Sequence, residues 1–426
     1  MKASELITKI KKGEFFNRLY DIYGEDATRQ SSRYIKTIEE FCKQYGEDRH
    51  ITLFSVPGRS EICGNHTDHN HGKVMAAGVN LDIIAVASKN TEDIIRIKSE
   101  GYDEDCVNFS EYKNTDKNYY YKSKSLIAGM AAGFEKEGYS TGGFDAYTTT
   151  EVYKGSGLSS SAAFEVMVGN IINHFYNEGK VTALDIAKIA QYSENEFFGK
   201  PCGLMDQTAC AVGGFVEIDF ETPSNPLLIG HDFNLDEAGY SLCIINTGGN
   251  HADLNEDYAS VPAEMKAVAE YFGKSVLREI SWESLIENIP ALRKTVGDRA
   301  IMRAYHYFAE NKRVTEAAKA LKTGNISLFL SKISESGNSS FKYLQNVYTV
   351  KNVAEQGLSL ALCLTEDFLS SREGAYRVHG GGFAGTIQAF IKKEDVERYK
   401  ERIDAAFGKG ACAVLNVRKY GAIKVI

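Results

Sequence analysis

Apolar residues recur at helical spacing through the first 46 positions, as in LITKIKKGEFFNRLYDIY and SRYIKTIEEFCKQY. This pattern predicts helices, with a break from Gly24 to Asp26. The same spacing predicts further helices over 125–138, from Ala162 onward, over 185–199, over 262–273 and from 298 to about 334. Helical segments are therefore expected along the whole chain.

Runs rich in β-branched and aromatic residues lie between these helices and predict strands. ITLFSVPG (51–58) is predicted to end at its Pro-Gly turn, and residues 79–88 and 93–99 are predicted to form a hairpin across 89–92. Further strands are predicted at FDAYTTTEV, FVEIDF, SLCIINT, TIQAFI and CAVLNV. Because strands and helices are interleaved, we expect an α+β protein of two intimate halves, with a boundary near residue 215.

Composition narrows the class of protein. At 426 residues with 43% hydrophobic content, the chain can bury the cores of two or three domains. Its net charge of −8 and pI near 5.7, without a basic block, argue against nucleic acid as a partner. The N-terminus has no apolar stretch of signal-peptide length, and no run approaches the roughly 20 apolar residues of a membrane span. We therefore expect a soluble cytoplasmic protein with no nucleic-acid or membrane partner.

The stretch GNHTDHNHG (64–72) holds three of the chain's nine histidines beside an aspartate. A zinc site needs three or four ligands that converge on one point. The order H-x-D-H-x-H differs from the H-x-H-x-D-H order of dinuclear hydrolases, and no second His/Asp/Cys cluster follows. A plain polar turn is the structural alternative, although such a turn needs no concentration of titratable groups. A binding turn is favoured over a metal cluster.

The stretch GSGLSSSAA (155–163) has the features of a phosphate-binding loop. Gly155 and Gly157 let backbone N–H groups approach an anion without interference from a Cβ atom. The serines that follow lie at the start of a predicted helix, whose N-terminus offers unpaired N–H donors. The Walker loop G-x-x-x-x-G-K-[ST] is absent. A serine-capped helix after a flexible turn is the structural alternative.

Two acids flank a proline-glycine turn in ENEFFGKPCGLMDQ, namely Glu194 on a predicted helix and Asp206 beyond the turn. Such a pair can hold Mg²⁺ and face a hydroxyl group, since Mg²⁺ takes one or two carboxylates plus phosphate oxygens. Helix-surface acids are the structural alternative. HGGGFAG (379–385) resembles a lipase oxyanion loop, but no G-x-S-x-G motif follows it, so a second glycine-rich anion loop is the better interpretation.

These stretches, in this order, resemble the motifs of the GHMP kinases and, within them, the galactokinases. PGRSEICGNHTDHN resembles the family's P-G-R-x-N-L-I-G-E-H-T-D-Y-N, and GSGLSSSA resembles G-x-G-L-S-S-S-A. SENEFFGKPCGLMDQ is similar to A-E-x-x-x-x-G-x-P-C-G-I-M-D-Q, VHGGGFAG to M-x-G-G-G-F-G-G, and INTGGNHADLNEDY to I-N-T-x-x-x-H-x-L-x-x-S-E-Y. The match spans about residues 50 to 426.

The resemblance implies a two-domain GHMP kinase fold with the active site in the interdomain cleft. The N-terminal domain would cover residues 1–215, including a helical extension of about 45 residues, and the C-terminal domain residues 216–426. The implied reaction is transfer of the γ-phosphate of ATP to the C1 hydroxyl of a hexose such as galactose. ATP and Mg²⁺ are the implied cofactors, a sugar and ATP are the partners, and a monomer or weak homo-oligomer is expected.

The same resemblance assigns residues one by one. Asp206 would act as catalytic base or orienting anion, and Arg59 would keep it ionised. The sugar would be bound by Asn65, His66, Asp68, Gly203 and Tyr258. The nucleotide would be bound by Gly155, Ser156, Gly157, Leu158, Ser159, Ser160, Ser161 and Ala162. Mg²⁺ would be held by Ser161 and Glu194.

The first motif departs from the family's at three positions. The family's glutamate is Asn65 here, its tyrosine is His69 and its asparagine is Glu61. Asparagine both accepts and donates hydrogen bonds, so it tolerates a C6 carboxylate, which a glutamate repels. A protonated His69 would favour a sugar acid further, whereas Glu61 would oppose it if it faced the sugar. Galacturonate is therefore an alternative acceptor.

A sugar sensor without catalytic activity is the second alternative. Some galactokinase-like sensors lack the serine-alanine pair of the second motif. Ser161 and Ala162 are both present here, as are Glu194 and Asp206, which favours an enzyme.

Overall fold

Two β-sheets, each covered by helices, organise the computed structural model, which describes residues 1–109, 120–152, 157–249 and 254–426. The helices are α1 (Ala3–Lys11), α2 (Phe16–Tyr23), α3 (Ala27–Tyr45), α4 (Ser123–Lys136), α5 (Ser160–Tyr176), α6 (Ala183–Tyr192), α7 (Met205–Val212), α8 (Asn255–Tyr271), α9 (Trp282–Glu287), α10 (Ile289–Thr295), α11 (Asp298–Lys322), α12 (Ile326–Ser339), α13 (Gly357–Leu369) and α14 (Val396–Phe407). The strands are β1 (Thr52–Cys63), β2 (Lys73–Lys89), β3 (Ile94–Ser99), β4 (Glu104–Asn108), β5 (Phe144–Thr150), β6 (Phe215–Asp219), β7 (Leu227–His231), β8 (Tyr240–Asn246), β9 (Gly374–His379), β10 (Thr386–Lys392), β11 (Cys412–Leu415) and β12 (Ile423–Lys424).

The larger sheet has eight strands, in the order β12-β1-β2-β5-β3-β4, with β6 added to β2 and β7 added to β6. All its pairs are antiparallel except β3 with β5. The smaller sheet has four antiparallel strands in the order β11-β8-β10-β9. Helices and mostly antiparallel strands in two packed units confirm the predicted α+β class.

Two expectations about strands are wrong. β1 does not end at the Pro-Gly turn but continues to Cys63, with a register shift between Pro57 and Arg59 that absorbs the irregular backbone. The predicted hairpin of β2 with β3 does not form. Both edges of β2 are already occupied, by β1 on one side and β5 on the other, so β3 pairs in parallel with the far edge of β5.

The predicted helices are largely confirmed, with local differences. The break at Gly24–Asp26 is a short 3₁₀ helix, and a second break separates α1 from α2. The helix predicted over 185–199 is α-helical only to Tyr192 and continues as a π-helical turn over Ser193–Phe198. That turn carries Glu194, and such turns occur frequently at functional sites.

Buried apolar clusters between the sheets and the helices hold the elements together. Helices α4 to α7 pack on one face of the larger sheet, and α1 to α3 cover the opposite face. Helices α11 and α12 join the larger sheet to the smaller one, whose other face is covered by α13 and α14. The N-terminal helical extension is therefore an integral layer of the fold. Within the described ranges, no helix has the length and apolar character that a membrane crossing requires.

A buried ionic cluster around Asp82 ties the N-terminal helices to β1, β2 and the end of the chain. Its carboxylate accepts hydrogen bonds from Arg33 of α3 (2.6 Å), Arg418 (2.9 Å) and Tyr23 of α2 (2.6 Å). Ser55 of β1 donates to the same carboxylate. Burial would raise the pKa of Asp82, but the two guanidinium groups outweigh it and hold the pKa below its usual value. We call this the Asp82 cluster.

The larger sheet draws strands from both ends of the chain. Strands β6 and β7 follow residue 215 yet belong to this sheet, and β12 returns to it from the last residues to pair with β1. The division of the chain at residue 215 stays a prediction.

Candidate active site

The turn over residues 64–72 has a shape that depends on glycine. Gly64 has φ of +98°, and a Cβ atom there would lie 2.5 Å from Cα of Val74, so no larger residue fits. His66 and His71 also adopt left-handed backbone conformations, with φ of 56° and 59°. The Thr67 hydroxyl lies within hydrogen-bonding distance of the Gly64 carbonyl oxygen (2.9 Å) and braces the turn. The side chains of the turn are therefore presented in a defined arrangement.

Two side chains of helix α11 hydrogen-bond to the backbone of this turn. The Gly64 N–H donates to the Glu310 carboxylate (3.0 Å). Burial would raise the pKa of Glu310, but the charge of Arg313 outweighs this effect and the pKa falls to about 2. The buried His306 ring lies 2.9 Å from the Asn65 carbonyl oxygen, so Nε2 donates, and burial lowers the pKa of His306 to about 4. A fixed charge and a neutral imidazole thus anchor the turn.

Two of the predicted sugar-binding residues, His66 and Tyr258, contact the glycine-rich loop over residues 380–382, and two more, Asp68 and Gly203, lie against each other. The His66 Nε2 donates to the Gly381 carbonyl oxygen (2.9 Å), and the Tyr258 hydroxyl donates to that of Gly382 (2.6 Å). Asp68 lies against Gly203, where an added Cβ atom would be 2.6 Å from the Asp68 carboxylate. The structure therefore brings residues from distant parts of the chain to the junction between the two halves.

Asn65 differs from these four because its side chain is buried and already hydrogen-bonded. Its Nδ2 donates to Glu61 (2.8 Å) and to the Gly380 carbonyl oxygen (2.8 Å), and its Oδ1 accepts from Asn346 (2.6 Å). Glu61 in turn pairs with the fully buried Arg377 at 3.2 Å. The charge of Glu61 is thus neutralised inside the protein. The direct role of Asn65 in sugar binding stays a prediction.

His69 lies more in the open than the rest of the turn. Its ring centroid is 5.8 Å from that of His66, and its Nδ1 accepts a hydrogen bond from Asn70 (2.9 Å). Desolvation by the surrounding protein lowers the pKa of His69, although part of its surface stays exposed. A neutral imidazole adds no positive charge for a sugar acid. Among the residues described, no three His, Cys, Asp or Glu side chains are grouped so that they could hold a metal ion.

Arg59 and Asp206 form a bidentate ion pair at the centre of the site. Arg59 Nε donates to one carboxylate oxygen of Asp206 and Nη2 to the other, both at 2.7 Å. Ser159 donates to the same carboxylate. Arg59 is almost fully buried, whereas about a third (32%) of the Asp206 side chain surface is exposed. The carboxylate is therefore fixed in orientation and still reachable from the junction.

The protonation state of Asp206 follows from this pair. Desolvation would raise its pKa, but the charge and the hydrogen bonds of Arg59, with the Ser159 hydroxyl, outweigh it and hold the pKa below its usual value. Asp206 is thus ionised at neutral pH. A fixed, ionised carboxylate can orient a hydroxyl group and accept its proton during transfer.

The predicted phosphate-binding loop is joined to this pair. The Arg59 Nη1 donates to the Gly157 carbonyl oxygen (2.5 Å), and its backbone N–H donates to that of Leu158 (3.1 Å). Ser159 immediately precedes helix α5, in a left-handed conformation (φ of 57°), and donates to Asp206, so the helix N-terminus lies next to the Arg59–Asp206 pair. Helix N-termini attract anions.

The remaining loop residues divide by burial. Leu158 and Ala162 are buried in the cores, while Ser160 and Ser161 are half-buried in the first turn of α5. Gly155 and Ser156 lie outside the described residues.

Glu194 is buried on the π-helical turn behind this loop. One of its oxygens lies 3.1 Å from Nζ of Lys200, and the other accepts a hydrogen bond from Gln207 (2.9 Å). Gln207 also lies 3.4 Å from the Glu165 carboxylate. Desolvation, reinforced by the nearby Glu194, raises the pKa of Glu165 well above its usual value, which favours the neutral form of Glu165.

One carboxylate and one hydroxyl suit a magnesium ion that arrives with a nucleotide, because phosphate oxygens and water complete its coordination. Glu194 and Ser161 are donors of this kind. A preformed cage of several carboxylates is not needed for such an ion. The donor set of the described residues therefore fits Mg²⁺ bound together with ATP.

Sequence reasoning overlooked the residues that hold the motifs in place. Lys200 lies between Glu194 and Asp206 in the sequence, so a contact of its positive charge with one of these acids could have been predicted. Arg377, His306 and Asn346 lie far along the chain from the turn they support, and no local pattern marks them. Their role follows only from the fold.

Replacing Gly203 with alanine tests the packing of Asp68. The added methyl group would meet the Asp68 carboxylate at 2.6 Å, so that side chain must move. We expect the KM for the sugar to rise about 10-fold with little change in the KM for ATP, measured by steady-state kinetics. Gly230→Ala is the matched control, since nothing lies within 4 Å of a Cβ atom there. An unchanged sugar KM would contradict the predicted role of Asp68 in sugar binding.

Two family models match the chain. The model of the GHMP kinases N terminal domain matches residues 125–214, which include most of α4 and all of α5 to α7. The model of the galactokinase galactose-binding signature matches residues 39–89, which include β1, the turn and β2. The two matches together contain Arg59, the phosphate-binding loop and Asp206.

Curated relatives match over most of their length. The galactokinase of Clostridium tetani (strain Massachusetts / E88) is 28% identical to the chain over 382 residues, covering 87% of this chain and 91% of the relative. The galactokinase of Actinobacillus pleuropneumoniae serotype 5b (strain L20) is 29% identical over 376 residues, covering 86% and 91%.

Solved structures share the fold. The crystal structure of Lactococcus lactis galactokinase complexed with galactose matches with a TM-score of 0.76 and 23% identity, covering 92% of this chain and 100% of that one. The Methanococcus jannaschii mevalonate kinase matches with a TM-score of 0.59 and 16% identity, covering 87% and 98%. The fold predicted from the motifs is confirmed by these likenesses.

Proposed function

The chain belongs to the GHMP kinases and is galactokinase-like within them, and from this premise we propose that it phosphorylates the anomeric hydroxyl of galactose or a close relative. ATP is the phosphoryl donor and the product is the sugar 1-phosphate. The observation that carries the proposal is the bidentate Arg59–Asp206 pair at the N-terminus of α5. It combines an oriented carboxylate with an anion-binding helix end.

The chemistry of phosphoryl transfer agrees with this geometry. Such a reaction depends on positioning and charge neutralisation more than on covalent catalysis. Asp206 orients the attacking hydroxyl and accepts its proton, while Arg59 keeps Asp206 ionised and neutralises negative charge that develops beside it. The N–H groups at the start of α5 receive the phosphates.

We assign the metal to Ser161 and Glu194 and the nucleotide phosphates to the loop from Gly155 to Ala162. When bound, Mg²⁺ would be held by these two side chains and would supply positive charge that neutralises the phosphates. The protein supplies a buried carboxylate and a half-buried hydroxyl, and the helix N-terminus supplies the remaining attraction for the phosphates.

The sugar is assigned to His66, Asp68, Gly203 and Tyr258. Sugar hydroxyls need fixed donors and acceptors, which an imidazole, a carboxylate and a phenol provide. Gly203 leaves room for Asp68 to reach the sugar. Asn65 contributes by fixing the turn, because its polar atoms are already engaged within the protein. A cytoplasmic location and a monomeric or weakly associated state stay predictions.

A sugar panel tests the proposal directly. ADP formation would be measured with galactose, galacturonate, glucuronate and arabinose, each with ATP and Mg²⁺. We expect galactose to give the highest kcat/KM, because the buried guanidinium of Arg377 is already paired with Glu61 and His69 adds no positive charge for a sugar acid.

The panel also decides between the alternatives. A higher kcat/KM with galacturonate than with galactose would replace the proposed substrate with a uronic acid. Saturable sugar binding without ADP formation for any sugar would identify a sensor instead of a kinase.

A further inference from the structure

Among the described residues, Lys200 is the cation that pairs with the buried carboxylate of Glu194. Its Nζ lies 3.1 Å from Oε1 of Glu194, and 57% of the Lys200 side chain is exposed against 3% for Glu194. Lys200 follows Gly199, which ends the π-helical turn in a left-handed conformation. It precedes Pro201, which restricts its backbone to extended conformations. The ammonium group is thus directed at Glu194 from the solvent side.

Glu194 needs this positive charge. An ionised carboxylate that is nearly fully buried is strongly unfavourable unless a counter-charge compensates it. Its other oxygen accepts a neutral amide hydrogen bond from Gln207, and Glu165 behind it is a second carboxyl group. Lys200 therefore supplies the positive charge next to Glu194.

We propose that Lys200 is the counter-cation of Glu194 when no metal is bound, and that it competes with Mg²⁺ for this carboxylate. This inference rests on the proposed metal role of Glu194. A divalent ion and an ammonium group repel each other, so binding of one weakens the contact of the other with the same carboxylate. Lys200 thus stabilises the metal-free enzyme and weakens its affinity for the metal.

Lys200→Met tests this inference with two measurements that do not depend on turnover. The first is the Tm in EDTA and again in saturating Mg²⁺ with a non-hydrolysable ATP analogue. We expect Lys200→Met to melt at a lower temperature than the wild type in EDTA, and the difference to disappear with the metal–nucleotide complex. Lys180→Met is the matched control, because the Lys180–Glu178 pair is exposed at both ends. It should match the wild type in both conditions.

The second measurement is an Mn²⁺ titration followed by electron paramagnetic resonance, with the same analogue present. We expect Lys200→Met to bind Mn²⁺ about 3- to 10-fold more tightly, since the competing pair is partly exposed. Lys200→Arg, which keeps the charge, should stay close to the wild type. Equal or weaker Mn²⁺ binding by Lys200→Met would overturn the inference. Weaker binding would mean that Lys200 contacts the phosphates of the nucleotide instead.

Glu194→Gln separates this inference from its premise. If Glu194 holds the metal, Glu194→Gln loses Mn²⁺ affinity, and adding Lys200→Met to it changes neither the Tm nor the Mn²⁺ affinity. Wild-type Mn²⁺ affinity in Glu194→Gln would refute the metal role of Glu194 and the inference with it. Lost affinity in Glu194→Gln, with no effect of Lys200→Met on its own, would refute the inference alone.

Discussion

Asp206→Asn is expected to lower kcat by at least about 100-fold while the fold persists. Asparagine has nearly the same shape but carries no charge and accepts a proton far more weakly. Arg59 and Ser159 both hydrogen-bond to the Asp206 carboxylate and fix its position. The substitution therefore removes the charge of this group with little change in its position. The effect should appear in kcat more than in the KM for either substrate, because the lost interaction matters most during transfer.

Steady-state kinetics and circular dichroism together check this expectation. Asp103→Asn is the control, since Asp103 lies exposed on the turn before β4 and its replacement should leave kcat unchanged. A folded Asp206→Asn enzyme with wild-type turnover would remove Asp206 from the mechanism. A variant that unfolds would be replaced by Asp206→Glu, which keeps the charge but displaces it and should also lose turnover.

Asp82→Asn is expected to lower the free energy of unfolding by about 3–5 kcal/mol, because it leaves the buried guanidinium group of Arg418 without a counter-charge and leaves Arg33 with only its more distant partner, Glu151. Arg33 and Arg418 both donate to this carboxylate, and Arg418 is fully buried. Denaturant unfolding measures the effect. Asp48→Asn is the control, as the Lys2–Asp48 pair is exposed and should contribute at most about 1 kcal/mol. An Asp82→Asn variant of wild-type stability would contradict this account.

The pH dependence of stability follows from the same carboxylate. The pKa of Asp82 is lower in the folded protein than in the unfolded chain. Its contribution to stability is therefore complete above the unfolded pKa and is lost as the pH falls through the folded pKa. The difference in stability between wild type and Asp82→Asn should accordingly shrink as the solution is acidified.

The motifs around the site could be predicted from the sequence because their residues are close together in it. Glycines that permit a tight turn and acids on either side of a helix end leave a local pattern. The contacts that hold these residues in place do not. Asn65 is fixed by His306 and Asn346, which lie 241 and 281 residues further along the chain. Nothing in the local sequence around His306 or Asn346 indicates that either residue contacts Asn65.

The hairpin predicted between β2 and β3 is wrong for the same reason, because strand pairing depends on contacts between distant parts of the chain. Residues 79–99 read locally as two strands with a polar turn, and both strands form. Whether they pair depends on β5, which takes the free edge of β2 and accepts β3 on its other side. Strand order is decided by competition among distant segments, and a local pattern carries no record of that competition.

The return of β12 to the larger sheet bears on how the chain acquires its fold during synthesis. Strand β1, which carries Arg59, pairs with β2, the next strand along the chain, but obtains its second neighbour only from residues 423–424. Until the ribosome has produced those residues, one edge of β1 stays open, and open strand edges are where nascent chains associate wrongly. The strand that bears Arg59 is thus the last part of the larger sheet to be closed.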